Sequence, residues 1–416
     1  MMIRNNLLIL FSFFLYSSLI FGFVYGEDFN GGSKADFFTI ITNAKLFVLD
    51  YKYYILNYDE LLDRNSPVIT IIIAKLIEIG LEIPTIQLIF LHISLLLCFY
   101  FYKCLKVIFY DADKLGLKYL SLIVFLSPTF RAISIWPHSR IIGLLFFTIS
   151  LYYFLKFRFK KKKFSYVLVN NFFLAISSYF SPNFSIFALY FFIEYLNYYK
   201  LKIEIFYYII FSIFLAFPAF YYLFILDVFF IFAGGTPGSE EYLKNYLVIS
   251  YLSNKILIIS SIIFFYLIPI IIIKKEIWAK IKFDKFLLII FLFFIINTAF
   301  FDYKIEFTGG GIFFKFSNIF FSNNIFFYVI VFISFYFIYL KYINFNNLLI
   351  IFILLISNPQ LSIYHKYYDP LLLILFFSIF KINLSKSFFN FTNLSIVYLF
   401  YFTLMIVSFY KVNFIN

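Results

Sequence analysis

Between residues 5 and 413 the chain alternates long apolar runs with short polar stitches, and many of the runs have the length of a membrane crossing. Candidate spans cover 5–25, 84–109, 117–135, 137–157, 164–181, 183–199, 203–232, 249–273, 285–301, 325–341, 346–363, 369–381 and 393–413. A helix is the natural form for such runs in lipid, because it satisfies its own backbone hydrogen bonds where no water can. Several runs fall short of the roughly 20 residues a full crossing needs. The expected fold is all-α: a polytopic transmembrane bundle of about 11–13 spans, forming a single membrane domain over 1–416.

The longest early interruption runs from 26 to 83. It opens with Gly26-Glu27-Asp28-Phe29-Asn30-Gly31-Gly32-Ser33-Lys34-Ala35-Asp36, which sets three carboxylates, a lysine and a glycine pair directly after the first apolar run. From Asp36 to Tyr58 apolar and polar residues interleave, as in a helix lying in the membrane interface. Asn65-Ser66-Pro67 then starts a second apolar helix, on which Lys75 and Glu78 stand three apart and are expected to face protein or each other. The first run, Leu7 to Tyr25, exceeds the usual signal-peptide core and ends without small residues at cleavage positions, so a retained helix is expected.

Composition changes the picture in one respect: it removes soluble folds from consideration. The 416 residues are 64% hydrophobic and 13% charged, with a mean hydropathy of +0.95. The 69 Phe and 37 Tyr accompany abundant Ile, Asn and Lys, a bias favoured by an AT-rich genome, so single aromatics mark no site. Cys98 and Cys104, six apart in one apolar run, read as packing residues with neither disulfide nor metal spacing.

Charge is informative through its distribution. With the N-terminus in the cytoplasm, the inner loops collect Arg4, Lys103/Lys106/Lys114/Lys118, Lys156 to Lys163, Lys200/Lys202, Lys274 to Lys285, Lys341 and Lys381/Lys386. That is 21 of the 34 basic residues. The net charge of +13 is thereby explained by topology, and nucleic acid need not be invoked. Eight of the ten prolines and the clusters Gly31-Gly32, Gly234-Gly235-Thr236-Pro237-Gly238 and Gly309-Gly310-Gly311 fall on the other side. Broken backbone is tolerated at membrane depth only where protein or a water-filled cavity satisfies it, so a site is expected on the outer face.

Three groups there carry candidate chemistry. Asp28, with Glu27 beside it and Asp36 eight residues on, offers a carboxylate at the membrane boundary able to act as a general base or to hold a divalent cation. Arg131, His138 and Arg140 flank Trp136-Pro137 and suit an anionic headgroup, and Lys34 adds a cation to the opening stretch. His365 and Lys366, followed by Asp369-Pro370, form the third, downstream of Asn358-Pro359-Gln360. Glu240-Glu241, Lys304 and Glu306 are weaker candidates, Asp227 is embedded in an apolar run, and His92 reads as a hydrogen-bonded packing residue. No GxSxG, phosphate loop, dinucleotide fingerprint or HExxH is present.

The order of a first helix, Glu27-Asp28 at its outer end, an interfacial helix, Asn65-Ser66-Pro67 and many further spans resembles the GT-C superfamily of integral-membrane glycosyltransferases. Its specific motifs cover residues 20–75, and Asn-Ser-Pro stands where many members have a His-Pro or double-Pro step. The resemblance implies transfer of a sugar from a polyprenyl-phosphate donor to an envelope glycan, lipid or protein acceptor, in a bacterial inner membrane. It implies that Asp28, backed by Glu27 and Asp36, is the base or the metal and acceptor carboxylate. Arg131, Arg140, His138, Lys34, His365 and Lys366 would then meet donor phosphate. An envelope polysaccharide polymerase or ligase fits the same layout, leaning on Arg131 and Arg140. A lipid-linked sugar flippase or transporter would need more ionisable residues at mid-span than His92 and Asp227.

Overall fold

A computed structural model of the protein describes residues 2–29, 31–230, 249–275, 285–304, 309–358 and 362–411. Every regular element among them is helical. Among the described residues, six helices are long and apolar enough to cross a membrane: Asn6–Val24, Ile83–Ile108, Ser139–Phe159, Ile203–Ile225, Tyr251–Ile273 and Phe391–Tyr410. A bent pair brings the number to seven, and five apolar helices of 10–17 residues accompany them. At 1.5 Å per residue these shorter helices fall short of a hydrocarbon layer about 30 Å thick.

The chain packs as two compact units, Met1–Gly235 with Phe389–Asn416, and Thr236–Phe388. The first contains α1 (Met2–Val24), α2 (Ser33–Leu49), α3 (Tyr51–Leu56), α4 (Pro67–Glu78), α5 (Ile83–Ile108) and α6 (Lys114–Leu122). It continues with α7 (Pro128–Ile135), α8 (Ser139–Phe159), α9 (Phe164–Phe180), α10 (Phe187–Tyr199) and α11 (Ile203–Phe220), and the helix Phe391–Tyr410 joins it. α8 is its hub, packed on α5 and α9 and largely buried between them. Apolar burial drives little association in lipid, so close packing and interhelical hydrogen bonds must hold such a hub. Both are present. Gly143 admits Ser181 and Phe184 so closely that a Cβ there would stand 2.9 Å from Ser181 Cβ. Ser150 and Asn170 exchange hydrogen bonds at 2.9 Å, and Tyr195 donates to Asn170 Oδ1 at 2.9 Å.

The expected span 117–135 is broken. Ser127 ends one segment and caps the next, its Oγ accepting from Phe130 N at 3.0 Å, and Pro128 takes the first helical position. The two segments meet at 65°. Proline has no N–H to lose at a helix start, which makes this a stable place to bend. α11 carries Pro218 in its interior and runs on as a π turn, Tyr221–Ile225.

In the polar passage after α1, the interfacial helix expected from Asp36 to Tyr58 is α2 followed by α3. Phe37, Ile40, Ile41, Ala44 and Phe47 recur at helical spacing on α2 and are buried, and α2 packs on α4. Lys75 and Glu78 pair with each other at 2.6 Å on an exposed turn of α4, and the Lys75 ammonium also lies 5.2 Å over the Tyr51 ring.

The second unit is organised on the helix Ile249–Ile273, which touches the helices Lys285–Ala299, Gly311–Phe321, Ile325–Phe335, Phe345–Ile356 and Leu371–Phe376. Gly311–Phe321 is not among the runs expected from sequence. Its N-terminus is turned by Gly309, Gly310 and Gly311, all at positive φ, and Gly310 N donates to the Ile363 carbonyl at 2.9 Å.

Candidate functional site

The polar stretch after α1 folds into a set of backbone and side-chain anchors. Asp28 Oδ2 accepts from the N–H groups of Gly32 at 2.9 Å and Lys34 at 3.1 Å, and Oδ1 accepts from Ser33 at 3.2 Å. Positive φ at Gly31 and Gly32 (62° and 118°) curls the chain so that these donors converge. The carboxylate thus sits at the N-terminus of α2, where both the exposed N–H groups and the helix dipole favour a negative charge.

Glu27, one residue earlier, points the other way. Its Oε1 and Oε2 accept from Arg131 Nε at 2.5 Å and Nη2 at 2.6 Å, a two-pronged fork. Arg131 donates further to Ser18 Oγ and to the Ser18 carbonyl, both at 2.9 Å, and the Trp136 indole donates to the Glu27 carbonyl at 2.9 Å. Only 4% of the Arg131 side chain and 7% of the Glu27 side chain are exposed. Gly22 makes room for the pair, because a Cβ there would collide with Glu27 Oε2. The fork ties the end of α1 to α7.

Asp36 lies in the first turn of α2 with 38% of its side chain exposed, and its Oδ2 is 3.9 Å from His138 Nε2. His138 is the N-cap of α8, its Nδ1 accepting from Arg140 N at 3.1 Å. Lys34 holds its ammonium 5.3 Å from the centre of the Trp136 ring. Arg140 is half-buried in the first turn of α8.

A second network lies beside the first. Buried Asp63 accepts from Asn43 Nδ2 at 3.3 Å, from Tyr58 OH at 3.1 Å, and from Asn65 N and Nδ2 at 2.8 and 2.9 Å. Burial, reinforced by the Asp63 carboxylate, pushes the Tyr58 hydroxyl well above the ordinary tyrosine value, so it stays a neutral donor. Asn65 Oδ1 accepts from Ser139 Oγ at 3.5 Å, which joins this network to the residue after His138. In the sequence Asp63 carries one signal, its place two residues before Asn65-Ser66-Pro67.

Directly beyond Asn65 the character changes to hydrocarbon. A cavity of about 640 Å³ lies among α4, α9, α10 and α11, with Ser66 and Pro67 in its wall. Val68, Ile71, Leu174 and Leu215 supply apolar surface, and Ala175, Ala216 and Ala219 supply room. Asn171 Nδ2 donates to Ser212 Oγ at 2.8 Å among the lining residues, and Ser66 Oγ donates to the Tyr179 carbonyl. The π turn that follows Pro218 lends Tyr222 and Leu223 to the wall.

The structure therefore gathers Glu27, Asp28, Lys34, Asp36, Arg131, His138 and Arg140 in the first unit, drawn from segments more than a hundred residues apart. His365 and Lys366 belong to the second unit. There His365 Nε2 is 2.7 Å from Tyr266 OH, and Lys366 lies 5.3 Å over the Tyr364 ring. Nearby anchors in that unit are Asn254 with Asp302 (2.6 and 3.1 Å), Lys255 Nζ on the Asn358 carbonyl (2.8 Å), and Tyr303, whose hydroxyl accepts from Ile363 N at 3.1 Å. Burial pushes the Tyr303 hydroxyl up to about 12. His92 is held by Tyr16 OH at 3.0 Å and the Leu88 carbonyl at 2.7 Å, and both cysteines are buried and unpaired.

Among the described residues, no group of three or more His, Cys, Asp or Glu is placed to hold a metal ion. Gly234 to Gly238, Glu240-Glu241, Glu306 and Pro359-Gln360 lie outside the described residues. The chain matches no protein-family model, no curated protein and no solved structure.

Proposed function

We propose that the protein is a membrane glycosyltransferase that moves a sugar from a polyprenyl-phosphate donor to an envelope glycan, lipid or protein acceptor. The reaction would run on the extracytoplasmic face of a bacterial inner membrane, with the N-terminus in the cytoplasm as the basic loops favour. One observation carries this reading: the polar cluster and the apolar cavity adjoin at Asn65-Ser66, within one compact unit. A lipid-linked anionic sugar has the same two halves, a hydrocarbon chain and a phosphate at headgroup depth.

The residues divide the work by their contacts. Arg131 commits four of its five N–H groups to Glu27 and Ser18, so it frames the cluster. Lys34 and Arg140, the other two cations among the gathered residues, would meet the donor phosphate, and the cavity wall would take the chain. His365 and Lys366 receive no role in this scheme.

The test is lipid retention. Native mass spectrometry of the purified protein with undecaprenyl phosphate is expected to show a bound lipid. Ala175→Phe, which places a ring in the cavity, is expected to lose it while the protein still elutes as a folded species. Wild-type protein that binds no prenyl phosphate, or a filled variant that binds it equally well, would remove the support for this reading.

A further inference from the structure

At one end of the first unit α5, α8 and α10 finish and α9 begins, and eight residues there carry six cations: Lys156, Arg158 and the run Lys160-Lys161-Lys162-Lys163. Contacts set these helix ends side by side. Lys160 Nζ lies 5.5 Å over the ring of Tyr110, just past α5. The Phe157 ring is 5.2 Å from that of Tyr198 in the last turn of α10, and the Tyr153 ring is 6.2 Å from that of Tyr166 in the first turn of α9. α5 and α8 are long and apolar enough to cross a bilayer, which puts their shared end at headgroup depth. Tyr110, Phe159 and Tyr198 are exposed there, as aromatic rings at a membrane boundary are.

The protein uses only part of this charge. Glu194 on α10 stands 3.6 Å from Arg158 Nη1, which also donates to Tyr190 OH at 3.2 Å. Lys162 Nζ donates to the Arg158 carbonyl at 3.2 Å, closing the open end of α8. Partial burial, with the Arg158 guanidinium nearby, lowers the Lys162 ammonium from its usual value, and Glu194 opposes that shift. Lys156 Nζ lies 4.4 Å over the Tyr166 ring and 5.3 Å over those of Tyr152 and Tyr153. Lys160, Lys161 and Lys163 are exposed, and they form no ion pair among the described residues. The α8 dipole favours cations in its last turn only, and Lys163 is the N-cap of α9, where a helix dipole disfavours a cation. Helix electrostatics therefore leave these three crowded ammonium groups unexplained.

We propose that the α8–α9 turn binds the headgroup of an anionic phospholipid, with Lys160, Lys161 and Lys163 on its phosphate. Clusters of lysine directly beyond a membrane span attract anionic lipid, each basic residue adding to the affinity. The exposed rings of Tyr110, Phe159 and Tyr198 beside the lysines favour a lipid over a soluble polyanion, because they offer apolar surface to the glycerol and upper chains. This site stands apart from the transferase reading and is independent of it.

The test is native mass spectrometry of the full chain, released from neutral-detergent micelles doped with equal amounts of phosphatidylglycerol and phosphatidylcholine of the same chains. Wild-type protein is expected to retain phosphatidylglycerol preferentially. Lys161→Gln with Lys163→Gln removes no ring contact described above, and should weaken phosphatidylglycerol binding by roughly tenfold to thirtyfold. Equal unfolding midpoints of wild type and variant in phosphatidylcholine, with phosphatidylglycerol raising only the wild-type midpoint, would support the site. Lys200→Gln with Lys202→Gln, on the α10–α11 turn, should leave the preference unchanged. No preference in wild-type protein, or full preference in the Lys161/Lys163 variant, would overturn the proposal. Equal loss in the Lys200/Lys202 variant would show attraction to a basic surface at large, and release of phosphatidylglycerol by heparin would show a site for soluble polyanions. Either would overturn it too.

Discussion

At the residue scale, the cluster turns on which charges are consumed by other protein groups. Arg131 has the residue type and the boundary position of a phosphate ligand, but its guanidinium is buried against Glu27 and Ser18. Removing one member of a buried pair leaves the other charge uncompensated, which typically costs about 3–5 kcal/mol. Glu27→Gln is therefore expected to lower the thermal unfolding temperature of the detergent-solubilised protein markedly. Pairing it with Arg131→Met is expected to recover part of the loss. An unchanged unfolding temperature in Glu27→Gln would show that the fork carries no structural weight. The sequence marks both residues as charges at a helix end, but their meeting across 104 positions has no signature in spacing. The same holds for Asp36 and His138. Asp28 was conspicuous because it stands in a polar stretch; that stretch is polar partly because Gly31, Gly32 and the start of α2 need an anion to gather their N–H groups.

At the element scale, apolar run length is a strong signal and backbone punctuation an ambiguous one. α1, α5, α8 and the helix Phe391–Tyr410 lie close to where their apolar runs put them. Ser127-Pro128 bends an expected crossing by 65°, since a proline can begin a second helix as readily as end a loop. The Gly309-Gly310-Gly311 cluster hides a helix start for the same reason: glycine marks positive φ, and positive φ occurs at helix N-termini as well as in open loops. Close backbone approach is a third thing glycine permits. On α6, a Cβ at Gly116 would collide with the Phe389 carbonyl, and backbone cannot swing aside as a flexible side chain can. Gly116→Ala is expected to cost about 1–3 kcal/mol, the usual range for forcing a methyl into a filled contact. Thermal unfolding measures it, and an unchanged midpoint would mean that α6 does not lie against Phe389.

At the scale of the whole molecule, class was legible and the site only in part. The hydropathy and charge patterns require a helical membrane protein, and the described helices are of that kind. The cavity was not legible, because it arises where small residues on α9, α10 and α11 face α4, and none of those residues is unusual in its own helix. Its meaning comes from its neighbour: Ser66 belongs to its wall, and Asn65 belongs to the network that reaches Ser139 beside His138. On the proposed reading the cavity would take the chain of a lipid-linked substrate and the polar cluster its head. Lipid analysis of cells from which the protein has been deleted tests that claim most directly. A prenyl-phosphate-linked monosaccharide should accumulate and disappear when the wild-type chain is restored. An unchanged lipid profile, or accumulation of a diphosphate-linked oligosaccharide instead, would contradict it.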